Sequence, residues 1–137
     1  MVSLEKLLDR KKEASGLASA QIWTLALGFL AISWALLTAH DEPLRTMSSH
    51  VNRYLLLGLA VSGVLATAFD VFQYVAVTAM AGKAAEEAEA AASKTAQYDK
   101  DSFAWKAQAW FFRAKFVVVV IGSVILAVIF WHLFAAV

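Results

Sequence analysis

The chain has 137 residues, 61% of them hydrophobic and 17% charged, with one proline and a net charge of +1. A soluble domain of this size carries more charge, because its surface must face water, and the near-neutral balance argues against a nucleic-acid partner. Cysteine is absent, which excludes disulfides, thiolate metal sites and thiol catalysis.

The apolar residues fall in three blocks. They predict one all-α transmembrane domain: a leader over 1–15 and spans over 20–39, 50–95 and 102–136. Helices two and three are expected to extend beyond the bilayer as a cytoplasmic antiparallel hairpin. In the leader, Leu4, Leu7 and Leu8 share a helical face, with Lys6, Arg10, Lys11 and Lys12 off it. Ser3 is the expected N-cap, and Gly16 is expected to break the helix before the membrane. The apolar face is one cluster wide, so the leader reads as a charged segment that sets orientation or packs on its neighbours, in preference to an interfacial anchor.

The first span places Gly28, Ala31, Ala35 and Ala39 on a small-residue stripe suited to close packing. Trp23 and Trp34 read as interface or packing aromatics. The first loop follows, with Pro43 blocking helix continuation and Asn52 or Ser49 as cap of the second span.

The second span contains the stretch 54–80, 27 residues with one charge, Asp70. Gly58, Ser62, Ala66 and Asp70 recur every fourth position, so the small residues and the carboxylate share one face for helix packing. Alanine and glutamate after residue 82 favour helix, which predicts a long second helix and a turn near 97–101 with Asp99 or Asp101 as the next N-cap. In the returning segment Phe103, Ala107, Trp110 and Ala114 form an apolar face beside Lys106 and Arg113. The lipid-embedded part is expected to begin near Phe116, with Trp131 at the far interface.

Lysine and arginine number four in the leader, two in the first loop and six in and around the second connection. The N-terminus and second connection are therefore expected in the cytoplasm, and the first loop and C-terminus outside a cell inner (plasma) membrane.

A turn near residue 98 sets Asp70 level with Leu126, Gln73 with Ser123 and Tyr74 with Gly122. A first span entering near Gln21 brings Ser33 to the level of Asp70. Asp70, Gln73, Ser33 and Ser123 are thus the candidates for a pathway or helix interface. No basic residue is expected inside the apolar sections, which leaves three readings of Asp70. It is a protonated carboxyl bonded to Ser33 or Gln73, a group lining a path between several copies, or the partner of a base on a different subunit. His40 and His132 both fall at the outer interface, and a metal or haem site on them is a minor alternative to plain interfacial histidine. Glu86 and Glu89 are expected opposite Lys106 and Arg113 as weak ion pairs, with Trp110 as a possible anchor for a docking partner.

No phosphate loop, nucleophile elbow, metalloprotease helix or dinucleotide fingerprint occurs, so the chain is expected to be neither an enzyme nor a cofactor protein. The expected partners are the lipid bilayer and a homo-oligomer or larger membrane complex. The leading functional expectation is a self-associating channel, pore or membrane-permeabilising effector. The alternative is an accessory or anchor subunit, and a haem-binding redox anchor is a distant third.

Overall fold

The computed structural model describes residues 4–91 and 101–135, with side chains from residue 16 onward except Ala88. The described residues are helical throughout, joined by short turns: α1 (Leu4–Leu37), α2 (Leu44–Ser49), α3 (Arg53–Ala90) and α4 (Phe103–Ala135). The expected cap at Ser3 and the turn at 97–100 lie outside these residues, as do the side chains of Leu4, Leu7 and Leu8.

The leader is not a separate helix. Helix α1 runs through Gly16 without a break. One glycine costs about 1 kcal/mol in a helix interior, and the helix formers on either side outweigh it. The small-residue stripe expected on this helix is also not its packing face. Nothing approaches Gly28, and Ala31 and Ala35 are exposed. The buried face is Ile22, Ala26, Phe29, Ser33 and Leu36, at alternating spacings of four and three. That face mixes large and small residues, while Trp34 and Leu27 on other sides of α1 are exposed.

The first loop contains a further helical turn, α2. Pro43 stands at its start, where a missing N–H leaves no bond unmade. Asn52 caps α3, its side chain accepting from the Tyr54 amide at 2.9 Å. At the start of α4 the cap is Ser102 rather than an aspartate, its hydroxyl oxygen accepting from the Trp105 amide at 3.3 Å.

Helix α3 is central and packs along both α1 and α4, which meet each other much less. The core lies among the three long helices, with Phe29, Leu56, Leu59 and Ile129 its largest fully buried apolar side chains. Two glycines allow the closest approaches. A Cβ on Gly63 would stand 2.8 Å from the Ala26 carbonyl oxygen, and one on Gly122 would overlap the Phe29 ring. Gly58 faces Ile125 with ordinary room.

Contacts between α3 and α4 run antiparallel, in a register different from the expected one. Asp70 meets Lys115, not Leu126, and Phe72 stacks on Phe111 at 5.5 Å between ring centres. The offset is about three helical turns. The expected register sets the arms level on either side of the connection, and they are not level. Helix α3 continues to Ala90, well past the level at which α4 begins.

Candidate functional site

The polar centre of the structure is built from one residue on each long helix. Lys115 of α4 is fully buried. Its Nζ donates to Ser19 Oγ of α1 at 2.8 Å and forms a short ion pair with Asp70 Oδ1 of α3. Ser19 in turn donates to the same Oδ1 at 2.9 Å. The Phe112 ring centre lies 5.4 Å from the ammonium, within reach of a cation–π attraction. Each polar group therefore replaces part of the hydration of the next, which lets a lysine be buried at all.

Asp70 does have a basic partner within its own chain, and that corrects the expectation that none is available. The expected hydroxyl partner, Ser33, is also replaced by Ser19. Ser33 is buried in the apolar core, where its hydroxyl donates to the Phe29 carbonyl at 2.7 Å. Ser123 is exposed and donates to the Val119 carbonyl at 2.9 Å. Asp70, Gln73, Ser33 and Ser123 thus do not gather into one path. Gln73, one turn from Asp70, keeps a buried side-chain oxygen that accepts no hydrogen bond from the described residues.

The role of Lys115 is hidden in the sequence because it sits two residues after Arg113 at the edge of the apolar run, where lysines usually reach out to water. Its period gives it away. Lys115, Gly122 and Ile129 are seven apart, as are Leu56, Gly63 and Asp70, and Ser19, Ala26 and Ser33. These rows are the seams along which helices meet at heptad spacing.

The ion pair is enclosed on one side only. The Asp70 side chain is 29% exposed, against 0% for Lys115. Among the described residues both donors reach Oδ1, and none reaches the second carboxylate oxygen. Of the expected packing residues on the same helix face, Ser62 and Ala66 are buried within the chain, and Gly58 touches Ile125.

An aromatic cluster flanks the ion pair. Phe69 packs edge-on against Trp110 at 5.8 Å, and Trp110 meets Phe111 at 5.2 Å. Trp110 nevertheless stays 59% exposed. The expected pairing of Glu86 and Glu89 with Lys106 and Arg113 is absent. Lys83 instead approaches Glu87 at 3.7 Å within α3, and Lys106 approaches Asp101 at 4.0 Å. The shifted register explains this, because α3 beyond Met80 has no α4 residue level with it. His40 and His132 are exposed. Among the described residues no three of histidine, aspartate or glutamate gather as a metal site would require.

No known protein family, curated protein sequence or solved structure matches this chain.

The three long helices are long and apolar enough to cross a membrane. Only 28%, 28% and 17% of their most apolar windows are buried within the chain. Large apolar side chains such as Leu27, Trp34, Val64, Phe72, Val117 and Val124 are left exposed on them.

Proposed function

We propose that this chain is a small, non-enzymatic integral membrane protein that crosses the bilayer three times and associates with copies of itself. The assembly forms a channel, pore or membrane-permeabilising unit with Asp70 at the contact or along the path. Charge asymmetry supports a cytoplasmic N-terminus and a cytoplasmic connection between α3 and α4, with α2 and the C-terminus outside an inner (plasma) membrane.

The depth of the ion pair follows from helix geometry. Lys115 lies about 24 Å along α4 from Trp131, and Ser19 about 27 Å along α1 from its end at Leu37. The hydrocarbon layer is about 30 Å thick. Asp70, Lys115 and Ser19 therefore sit near the cytoplasmic side, not at the bilayer centre. Within one chain the way outward is filled by Phe29, Leu56, Leu59 and Ile129. A path for ions must then run between chains.

The half-open ion pair carries the self-association reading. Among the described residues no donor reaches the second Asp70 oxygen, and near the membrane surface a polar group of a further helix or enclosed water satisfies such a carboxylate. An anchor subunit of a larger complex would use the same edge for a partner's helix.

Dye-loaded vesicles test the proposal. Release is expected to rise more steeply than linearly with protein density. In the charge-free pair Asp70→Asn with Lys115→Met, which strands neither partner, release is expected to fall about tenfold or more while helicity and insertion persist. Release unchanged in that double variant would remove Asp70 from the path. A wild-type protein that never leaks at any density would overturn the channel reading and favour the anchor subunit.

A further inference from the structure

Lys106, Trp110 and Arg113 follow one another at spacings of four and three, so they share a face of α4. Beside them, Phe103, Lys106, Ala107, Trp110 and Phe111 line a groove of about 450 Å³. Phe103 is 87% exposed at one end of it. The groove is apolar in its floor and cationic along its edge.

Among the described residues nothing neutralises that edge well. Among the described residues no carboxylate lies within ion-pair distance of Arg113. The only carboxylate among the described residues that approaches Lys106 is Asp101, at 4.0 Å and with a side chain 98% exposed, where water screens the attraction. Helix α3 presents Phe69 and Phe72 to this part of α4, and its nearest carboxylate, Asp70, is already held by Lys115. An occupant that brings negative charge and an apolar chain together fits both the edge and the floor.

We infer that this groove binds an anionic phospholipid of the cytoplasmic leaflet. Arg113 and Lys106 hold the phosphate region, and an acyl chain lies over Trp110 and continues toward Phe116. The inference rests on the membrane reading, which puts Arg113 at the edge of the hydrocarbon and Lys106 at headgroup level. Each lysine or arginine near such a surface strengthens anionic lipid binding about fivefold.

Tryptophan quenching tests this in reconstituted bilayers. One variant keeps Trp110 alone and a second keeps Trp131 alone, the other tryptophans being replaced by phenylalanine. Each is placed in phosphatidylcholine containing brominated-chain phosphatidylglycerol or brominated-chain phosphatidylcholine. At Trp110 the anionic lipid is expected to be preferred roughly fivefold or more, and Lys106→Gln with Arg113→Gln should bring the ratio close to one. At Trp131 the ratio should be close to one throughout. Equal quenching at Trp110, or a preference that survives both substitutions, would overturn the lipid site while leaving the membrane reading intact. No quenching by either lipid at either position would overturn both.

Discussion

Lys115→Met is expected to lower the stability of the three-helix unit by about 3 kcal/mol. Removing one partner of a buried pair leaves the other charge without compensation, which typically costs about 3–5 kcal/mol. The 29% exposure of Asp70 brings the value to the low end, because its free oxygen reaches a more polar surrounding. Ser19 alone remains as donor, and one neutral hydroxyl replaces little of an ammonium's attraction. Adding Asp70→Leu to Lys115→Met should recover most of the loss, because the desolvation of both charges disappears together. The coupling in a double-mutant cycle should then exceed about 1 kcal/mol. Unfolding in sodium dodecyl sulfate, followed by tryptophan fluorescence, measures it. A Lys115→Met protein within about 0.5 kcal/mol of wild type would show that the pair contributes no more than an ordinary surface contact.

Gly63→Leu and Gly122→Leu should separate the helices, with a cost at or above the usual 1–3 kcal/mol of overpacking. At Gly63 the first new atom meets the Ala26 carbonyl oxygen and Leu30 Cγ, both at 2.8 Å. A carbonyl of a packed helix cannot swing aside, so α1 as a whole must move off α3. At Gly122 the obstacle is the Phe29 ring, whose Cδ2 would lie 2.8 Å from a Cβ and which is itself 1% exposed in the core. Glycines elsewhere should behave in the opposite way. Nothing lies within 4 Å of a Cβ at Gly28 or Gly82, so alanine there gains helix propensity, about 0.5–1 kcal/mol, with no clash. Gly58→Ala should be near neutral, since only the flexible end of Ile125 is close, at 3.4 Å. The same unfolding titration separates the two groups. A Gly63→Leu protein as stable as Gly82→Ala would mean that α1 is not seated against α3 as described.

The three long helices were legible because each apolar run exceeds the length of any soluble strand or short helix. Their mutual level was not. It depends on where α3 stops relative to the start of α4, and alanine-rich sequence around Gly82 gives no sharp stop signal. A symmetric turn places Asp70 level with the apolar Leu126 instead of Lys115. Seven-residue rows through Gly122 and Gly63 would have corrected this, since they place Lys115 and Asp70 on the faces that must meet. Ser19 was less legible. A serine near the start of an apolar run reads equally as a boundary residue, and only the Ala26 and Ser33 positions that follow it at sevenfold spacing mark the seam. Phe29 shows the same limit in another form. Its partner is a glycine 93 positions away, a fit of bulk into vacancy that no local pattern contains.

Impermeant-thiol labelling tests the three-span arrangement most directly, because the ion pair's depth, the lipid groove and the path between chains all follow from it. The chain has no cysteine of its own, so Ser48→Cys, Ala91→Cys and Ala135→Cys each report on one place: Ser48 is half-buried in α2, and Ala91 and Ala135 are exposed at the ends of α3 and α4. In intact cells or right-side-out vesicles, the sites at Ser48 and Ala135 should label from outside, and the site at Ala91 should label only after the membrane is opened. Labelling of Ala91→Cys from outside with Ser48→Cys protected would invert the orientation. Equal labelling of all three without opening the membrane would contradict the three spans altogether.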